Sequence, residues 1–443
     1  MITTLTSDNL DIIRNPAFAA YAETYRRIHD DFMVQLAATG IEIAADDQRA
    51  ETEAALARLR ALEATFRNGG RSVVANAISP ACVACQTGEG SATFFVSLQC
   101  HRDCYYCFNP NQVEYDFYQS HQRNPAEELA EGAAAGYQAA YLALTGGEPL
   151  VHRGETLAFF EAAQRHFPAA HTRLYTTGDH TNEALLADLR DAGLQEIRFS
   201  IRMHDLARGQ RHTLSRIALA RQYIPTVMVE MPVLPGSAEV MKELLLELDE
   251  LGIHSINLLE FCYPLNNAEA FNERGFQIKK RPYQTLYNYW YAGGVPIAGS
   301  ELVCLELLAF GLERGLSIGL HYCSLENKLT GQNYQQNAGQ SLPPTHHFSN
   351  QDYLLKSAKV FGDDIPRVFN AFRSLGYHDF TRSQKPRYLE FHVNQIPRLA
   401  ELGLDVEVGL STSTLEERED GTVLRELKID LTTPQQFDLH RDV

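Results

Sequence analysis

No apolar run in this chain of 443 residues approaches the roughly 18 residues that a membrane-spanning helix needs, so no transmembrane segment is expected. The start, MITTLTSDNLDIIRNP, lacks both a basic n-region and an apolar h-region. A secreted protein is therefore not expected, and a cytoplasmic one is. Positive charge is in short supply: 39 Lys and Arg stand against 56 Asp and Glu, a net of −17. Neutralising phosphates requires clustered cations, so neither nucleic acid nor an anionic membrane is an expected partner. The local basic run Lys279-Lys280-Arg281 reads as a solvated turn. Internal repeats and low-complexity tracts are missing, and no cysteine follows Cys323. What is present suffices for a large core. Hydrophobic residues make up 44% and charged ones 21%, which excludes disorder and fibre, and the length suggests two or three domains.

Residues 1–75 read as a helical N-terminal segment. Leu56, Leu59, Leu62 and Phe66 recur at helical spacing behind a cap at Asp46 or Asp47, and Asn68-Gly69-Gly70 ends the helix. From residue 76 to 330, strand-like runs alternate with amphipathic helices. The runs are 93–99, 139–145, 172–177, 196–201, 226–234, 255–261 and 317–322. Between them Asn124-Pro125-Ala126-Glu127 opens one helix as a capping box, and Ser237 is placed to cap another. Alternation of this period predicts a parallel sheet with crossover helices, an open or partial (β/α) barrel whose chemistry sits at the carboxyl ends of the strands. Polar, proline-containing residues 331–360 read as a linker. Residues 361–443 read as a small α+β domain that ends in a hairpin around Asp420-Gly421, with a loop longer than two residues.

Five of the eight cysteines fall between Cys82 and Cys107, a clustering that reads as metal ligation rather than cross-linking. Cys100, Cys104 and Cys107 are spaced C-x3-C-x2-C just after a strand. Three thiolates on one loop can bind three irons of a [4Fe–4S] cube and leave the fourth open to a chelating ligand. The competing metal is zinc, whose structural sites want four closed ligands. One strand later comes Gly146-Gly147-Glu148-Pro149, a turn in which two glycines let backbone approach a ligand closely.

Together, Cys100-x3-Cys104-x-Tyr106-Cys107 and Gly146-Gly147-Glu148-Pro149 resemble the cluster motif and the amino-binding GGE motif of the radical S-adenosylmethionine (radical SAM) superfamily. The resemblance covers roughly residues 90–325. It implies a partial (β/α)6 barrel and a [4Fe–4S] cluster whose open iron is chelated by S-adenosylmethionine. It further implies reductive cleavage to a 5′-deoxyadenosyl radical that abstracts a substrate hydrogen, with flavodoxin or ferredoxin as reductant. By place on such a barrel, Thr176, Thr177 and Gly178 would meet the methionyl part. Ser200 and Arg202 would meet the ribose and carboxylate, and Glu230 with the Pro232-to-Gly236 turn would meet the adenine. Asn257 and Glu260 belong to the sixth strand. For each, an ordinary polar residue at a strand end is the competing reading.

Cys82 and Cys85 form a C-x2-C knuckle upstream of the barrel. It needs further ligands, of which Cys323 is the best placed; Cys262 points toward the mouth, and Cys304 reads as a buried, inert thiol. His321 is an alternative ligand, although a histidine satisfied within the core is the commoner case. The knuckle and the downstream HYCS resemble a branch related to the pyruvate formate-lyase activating enzymes, which also contains the protein-arginine methylase of methanogens. That resemblance implies a second cluster or a mononuclear iron; zinc and spare thiols are the alternatives. The multi-cysteine C-terminal extension of peptide maturases is missing, as is a D-x-H-x2-G sequence for a standard cobalamin domain. Three functions stay open: a radical enzyme acting on a peptide or protein, one acting on a small molecule, and an iron–sulfur electron carrier. Tyr105, Cys262 and Tyr263 face plausible directions for a hydrogen donor.

Overall fold

The computed structural model describes residues 2–205, 207–287 and 293–443. The chain divides into two units, one of residues 40–282 and 289–331, the other of residues 1–39, 283–288 and 332–443.

The first unit is built on a nine-stranded sheet. Thr65–Arg67 (β1) and Ser72–Ala75 (β2) are followed by Ser91–Phe95 (β3), Tyr141–Thr145 (β4), His171–Thr176 (β5), Glu196–Phe199 (β6), Thr226–Val233 (β7) and Ser255–Glu260 (β8). Cys262–Tyr263 (β9) and Val295–Pro296 (β10) pair in a separate antiparallel ribbon, and Gly319–Cys323 (β11) returns to the main sheet. Strands β3 to β8 lie side by side in chain order and parallel. Each is followed by a helix: Pro125–Ala134, Arg153–His166, Glu183–Asp191, Ala207–Ala220, Ala238–Glu250 and Ser300–Arg314. This is the expected partial (β/α)6 arrangement. β11 adds in parallel to β8, and β2 and β1 close that edge antiparallel.

The β runs form because their apolar residues are buried on both faces, as parallel strands under helices require. Leu142, Leu144, Leu174, Ile197, Phe199, Val229, Ile256 and Leu258 join one core with Phe159, Phe160, Leu245 and Leu308 from the helices. Asn124 caps its helix as read from the sequence, accepting from Glu127 N and donating to Glu127 Oε2. Ser237 makes no cap bond, because its hydroxyl donates to Leu234 O at 2.7 Å. Nor is the 49–61 helix capped at Asp46 or Asp47 in the usual position: Gln48 stands there at φ 52°, and Asp47 accepts from Arg49 N.

Three boundaries differ from the sequence reading. Residues 65–67 and 72–75 are strands joined by a tight helical turn at Asn68–Gly70, not the tail of a helical segment, since Val73, Val74 and Ala75 are buried against β11. Residues 1–39, with the helix Pro16–Ala37, group with the C-terminal unit. Residues 331–360 are no linker: the helix Leu325–Asn337 enters them, His347–Phe348 (β12) pairs with Leu355–Phe361 (β13), and β13 is wholly buried. Around β13 stand Phe380–Gln384 (β14), Arg387–Phe391 (β15), Val408–Arg418 (β16) and Gly421–Thr432 (β17), all antiparallel, in the order β14-β15-β13-β16-β17. Arg418 pairs directly with Gly421, so the hairpin loop is two residues, shorter than expected; Gly421 supplies φ 113°. Among the described residues no helix is long and apolar enough to cross a membrane.

Candidate active site

Cys100, Cys104 and Cys107 follow β3 on a loop that is fastened to the turn after β4. Gly147 N donates to Ser97 O at 3.1 Å, Glu148 N donates to Gln99 O at 2.8 Å, and Asn109 Nδ2 donates to Gly146 O at 2.9 Å. The two glycines serve this fastening. A Cβ on Gly146 would stand 2.5 Å from Ser97 O, and one on Gly147 would stand 1.9 Å from Gln99 O. The close approach expected toward a ligand is made to the chain's own cysteine loop.

Glu148 is buried, and its carboxylate is surrounded by donors. Oε1 accepts from Leu150 N and Thr176 Oγ1, and Oε2 accepts from Thr177 N and Thr177 Oγ1 at 2.7 Å each. That uses the acceptor positions of a carboxylate, so Glu148 couples the GGE turn to the end of β5 instead of presenting an open carboxylate. Gly178 continues this loop at φ 83° beside the Phe199 ring.

Loss of water around the thiols pushes Cys100, Cys104 and Cys107 up, Cys107 to about 11. The opposing influence at Cys104 is the Arg202 guanidinium, which also pairs with Asp205. Tyr106 packs edge-on against His204 and Phe261, and its hydroxyl is pushed up by burial. Tyr105 lies under the Arg274 guanidinium, 4.2 Å from its ring, and its buried hydroxyl has no hydrogen-bond partner. Ser200 donates its backbone N–H to Thr176 O. The structure thus brings Tyr106, Gly146, Gly147, Glu148, Thr177, Ser200 and Arg202 to the neighbourhood of the three thiols.

Glu230 is not part of this group. It accepts from Arg198 Nη1 at 2.7 Å and from Asn257 Nδ2 at 2.6 Å, inside the sheet, where both donors also reach Cys82. Arg198 Nη2 lies 3.4 Å from Cys82 Sγ, and Asn257 Nδ2 lies 3.2 Å from it. The C-x2-C segment is a short helix, Pro80–Ala84, with Ser79 as cap and proline at its first position. Spacing i, i+3 turns Cys82 and Cys85 to one side. Ser79 Oγ also donates to Glu196 Oε2, and Glu196, fully buried, takes further bonds from Arg198 and His171. Burial would raise Glu196, but His171 and Arg198 hold it down at about 2.

Cys323, at the end of β11, accepts from Asn327 Nδ2 at 3.2 Å. Burial pushes it up to about 12, with the Lys328 ammonium and Asn327 pulling the other way and the Cys85 and Cys82 sulfurs near enough to add to the rise. Cys262 donates to Gly293 O at 3.7 Å, and Tyr263 is buried beside Phe271. Cys304 is fully buried, as expected. His321 is satisfied within the core: Ser72 Oγ and Asn257 Oδ1 stand 2.9 Å from its two ring nitrogens, and burial pushes it down to about 4. Glu260 accepts from Leu325 N and faces Lys279, which also pairs with Glu301 at 2.5 Å. Lys279 is therefore an anchored cation, not the solvated residue expected from its basic run.

Among the described residues no group of three or more His, Cys, Asp or Glu side chains is drawn together tightly enough to hold a metal ion as it stands. The fit of iron rests on donor chemistry, three thiols on one short loop with a guanidinium beside the middle one. Sequence reasoning missed Arg173, Arg198, Asn327 and Lys328. For the two arginines a signal was available, a charged residue at mid-strand in HTRLYT and EIRF; Asn327 and Lys328 stand on the helix Leu325–Asn337, where polar residues are ordinary.

Residues 95–248 match the Radical SAM superfamily. A protein of Methanocaldococcus jannaschii named as a glycyl-radical enzyme activating enzyme is 26% identical over 294 residues, which cover 64% of this chain and 74% of that relative. SuiB of Streptococcus suis bound to its precursor peptide SuiA aligns with TM-score 0.38 and 10% identity over 66% of this chain and 56% of its own. BtrN in complex with AdoMet and 2-DOIA aligns with TM-score 0.25 and 18% identity, over 32% and 56%. The chain spans little more than half the length of these two solved proteins. The Radical SAM superfamily uses a [4Fe–4S] cluster and S-adenosylmethionine.

Proposed function

Because the chain carries a radical SAM domain over residues 95–248, we propose that it is a radical enzyme acting on a peptide or protein. Cys100, Cys104 and Cys107 would hold the cluster. Tyr106, Gly146, Gly147, Glu148, Thr177, Ser200 and Arg202 would form the surroundings of S-adenosylmethionine. When bound, the cluster and S-adenosylmethionine supply an electron and a carbon radical able to take a hydrogen atom. A flavodoxin or ferredoxin is the fitting source of that electron. Glu230 has no place in this set, since Arg198 and Asn257 hold it inside the sheet. Cys82 and Cys85 would need Cys323 or Cys262 to complete a second thiol site, since no three of these side chains are gathered as metal ligands in the fold.

One observation carries the reading: the loop with the three thiols is bonded along its backbone to the GGE turn, so the two motifs act as one piece. Within that piece Glu148 fixes Thr177, and the Arg202 cation beside Cys104 favours its thiolate. The rings of Phe261 and His204 around Tyr106 keep water from one side of the site. A polypeptide substrate is supported by the relative named as an activating enzyme, whose target is itself an enzyme.

Deuterium transfer tests this reading. An extract of the source cells grown in deuterated medium is separated into macromolecules and small-molecule filtrate, and each is given to the reconstituted protein with dithionite and S-adenosylmethionine. Deuterium in 5′-deoxyadenosine from the macromolecular fraction is expected. Label from the filtrate alone would make the substrate a small molecule, and no 5′-deoxyadenosine at all would leave an electron carrier.

A further inference from the structure

We infer that Asp179 is a positioning residue for the proposed S-adenosylmethionine site, one that ties the three residues between Cys100 and Cys104 to the loop after β5. This rests on the reading of Cys100, Cys104 and Cys107 as cluster ligands, and it adds a residue that neither motif contains.

The spacer between the first two cysteines is His101-Arg102-Asp103. Two of its side chains end on one carboxylate oxygen. His101 Nε2 and Arg102 Nε each stand 2.6 Å from Asp179 Oδ2, and Arg102 Nη2 stands 2.5 Å from it. His180 lies edge-on to the His101 ring, with its Nε2 3.4 Å from His101 Nδ1. His212, on the helix Ala207–Ala220, faces the other oxygen, Oδ1, at 3.7 Å. Burial alone would raise the Asp179 carboxyl, but bonds from His101 and Arg102 outweigh it and hold it below the usual range. The Asp179 side chain is 14% exposed, so solvent screens these contacts less than it would at an open surface. Charge-assisted bonds of this kind are roughly twice as strong as neutral ones.

Asp179 acts on the site because its own backbone is held there. Its N–H donates to Thr177 Oγ1 at 3.5 Å, and that hydroxyl donates to Glu148 Oε2 at 2.7 Å. Glu148 N in turn donates to Gln99 O, next to Cys100. These contacts close a ring that runs from the cysteine loop through the GGE turn and the β5 loop and back to the cysteine loop. The GGE turn grips the loop before Cys100, at Ser97 and Gln99, and after Cys107, at Asn109. The stretch from Cys100 to Cys104 lies between those grips, and there His101 and Arg102 lean on Asp179. Without that carboxylate the stretch is free to drift from Thr177 and Gly178, the residues expected to meet the methionyl part of S-adenosylmethionine.

The test begins with the full chain free of iron, followed by hydrogen exchange. Asp179→Ala is expected to speed exchange in the 100–107 loop about tenfold, with the melting temperature and the exchange of β4 to β6 unchanged. Asp179→Glu, which keeps the carboxylate, is expected to recover the protection. Arg102→Ala/Asp179→Ala is expected to match Asp179→Ala alone, since both act through the same bonds. After reconstitution with ferrous iron and sulfide, S-adenosylmethionine is expected to bind the Asp179→Ala chain about tenfold more weakly per iron-loaded protein in equilibrium dialysis. Unchanged loop exchange, additive effects in the double variant, or a lower melting temperature with exchange raised throughout overturns the role of Asp179. Faster loop exchange with equal S-adenosylmethionine binding overturns its link to the site. A wild type that takes up no iron overturns the reading on which the inference rests.

Discussion

Two thiol sets lie in one sheet unit, and they are held in opposite ways. Cys100, Cys104 and Cys107 ride on a loop fixed by main-chain bonds and by two glycines that allow backbone to touch backbone. Cys82 rides on, and Cys85 caps, a five-residue helix fixed by charged and polar side chains: Glu196 and Arg198 of β6, Glu230 of β7, and Asn257 of β8. The first arrangement is written into a short stretch of chain. The second exists only when distant strands have come together, so folding itself assembles its electrostatics.

The two modes of support should fail differently. The largest effect is expected at the inner set. Arg198→Met leaves Glu196 and Glu230 without their common cation inside the sheet, and about 4 kcal/mol of stability should be lost in denaturant unfolding. A loss under 1 kcal/mol would remove the contrast. Acid comes next. His321 is held near 4 in the folded chain against about 6.5 unfolded, so its contribution is complete above pH 6.5 and disappears as the pH falls toward 4. That is roughly 3 kcal/mol, which His321→Gln should make independent of pH over the same range. Glu196, held at about 2, contributes above pH 4.5 and loses its part only below that. Unfolding followed from pH 7 to 2 checks both.

At the loop, Gly147→Ala drives a methyl into Gln99 O and should cost about 2 kcal/mol. Unlike the inner variants, it should also abolish S-adenosylmethionine cleavage, because it parts the GGE turn from the thiols. The smallest effect belongs to Thr177→Val. It removes one hydroxyl from Glu148, costs about 1 kcal/mol, and weakens S-adenosylmethionine binding measured by equilibrium dialysis. Equal binding in Thr177→Val would detach Thr177 from the site.

The same contrast explains what could be read from the sequence. β3 to β8 were legible because buried parallel strands are short apolar runs between amphipathic helices, and the loop motif was legible because its parts are contiguous. β13 was not, since Lys356, Ser357 and Lys359 interrupt it; in the fold they are buried and paired, Lys356 with Asp352 and Lys359 with Glu426. β2 was hidden by its length of four residues behind a helix of clear periodicity. Arg173, Arg198 and Asn257 come from three separate strands, so no local pattern joins them. Only the register of the sheet, with Arg173 beside Glu196 and Glu230 beside Asn257, brings them together.

The central claim is that the loop thiols carry the S-adenosylmethionine chemistry. Its most direct test is 5′-deoxyadenosine formation by the reconstituted full chain with dithionite and S-adenosylmethionine, wild type against Cys104→Ala. Formation by the wild type and none by the variant is the predicted result. Equal formation by both, or none by a wild type that holds its iron, would contradict it.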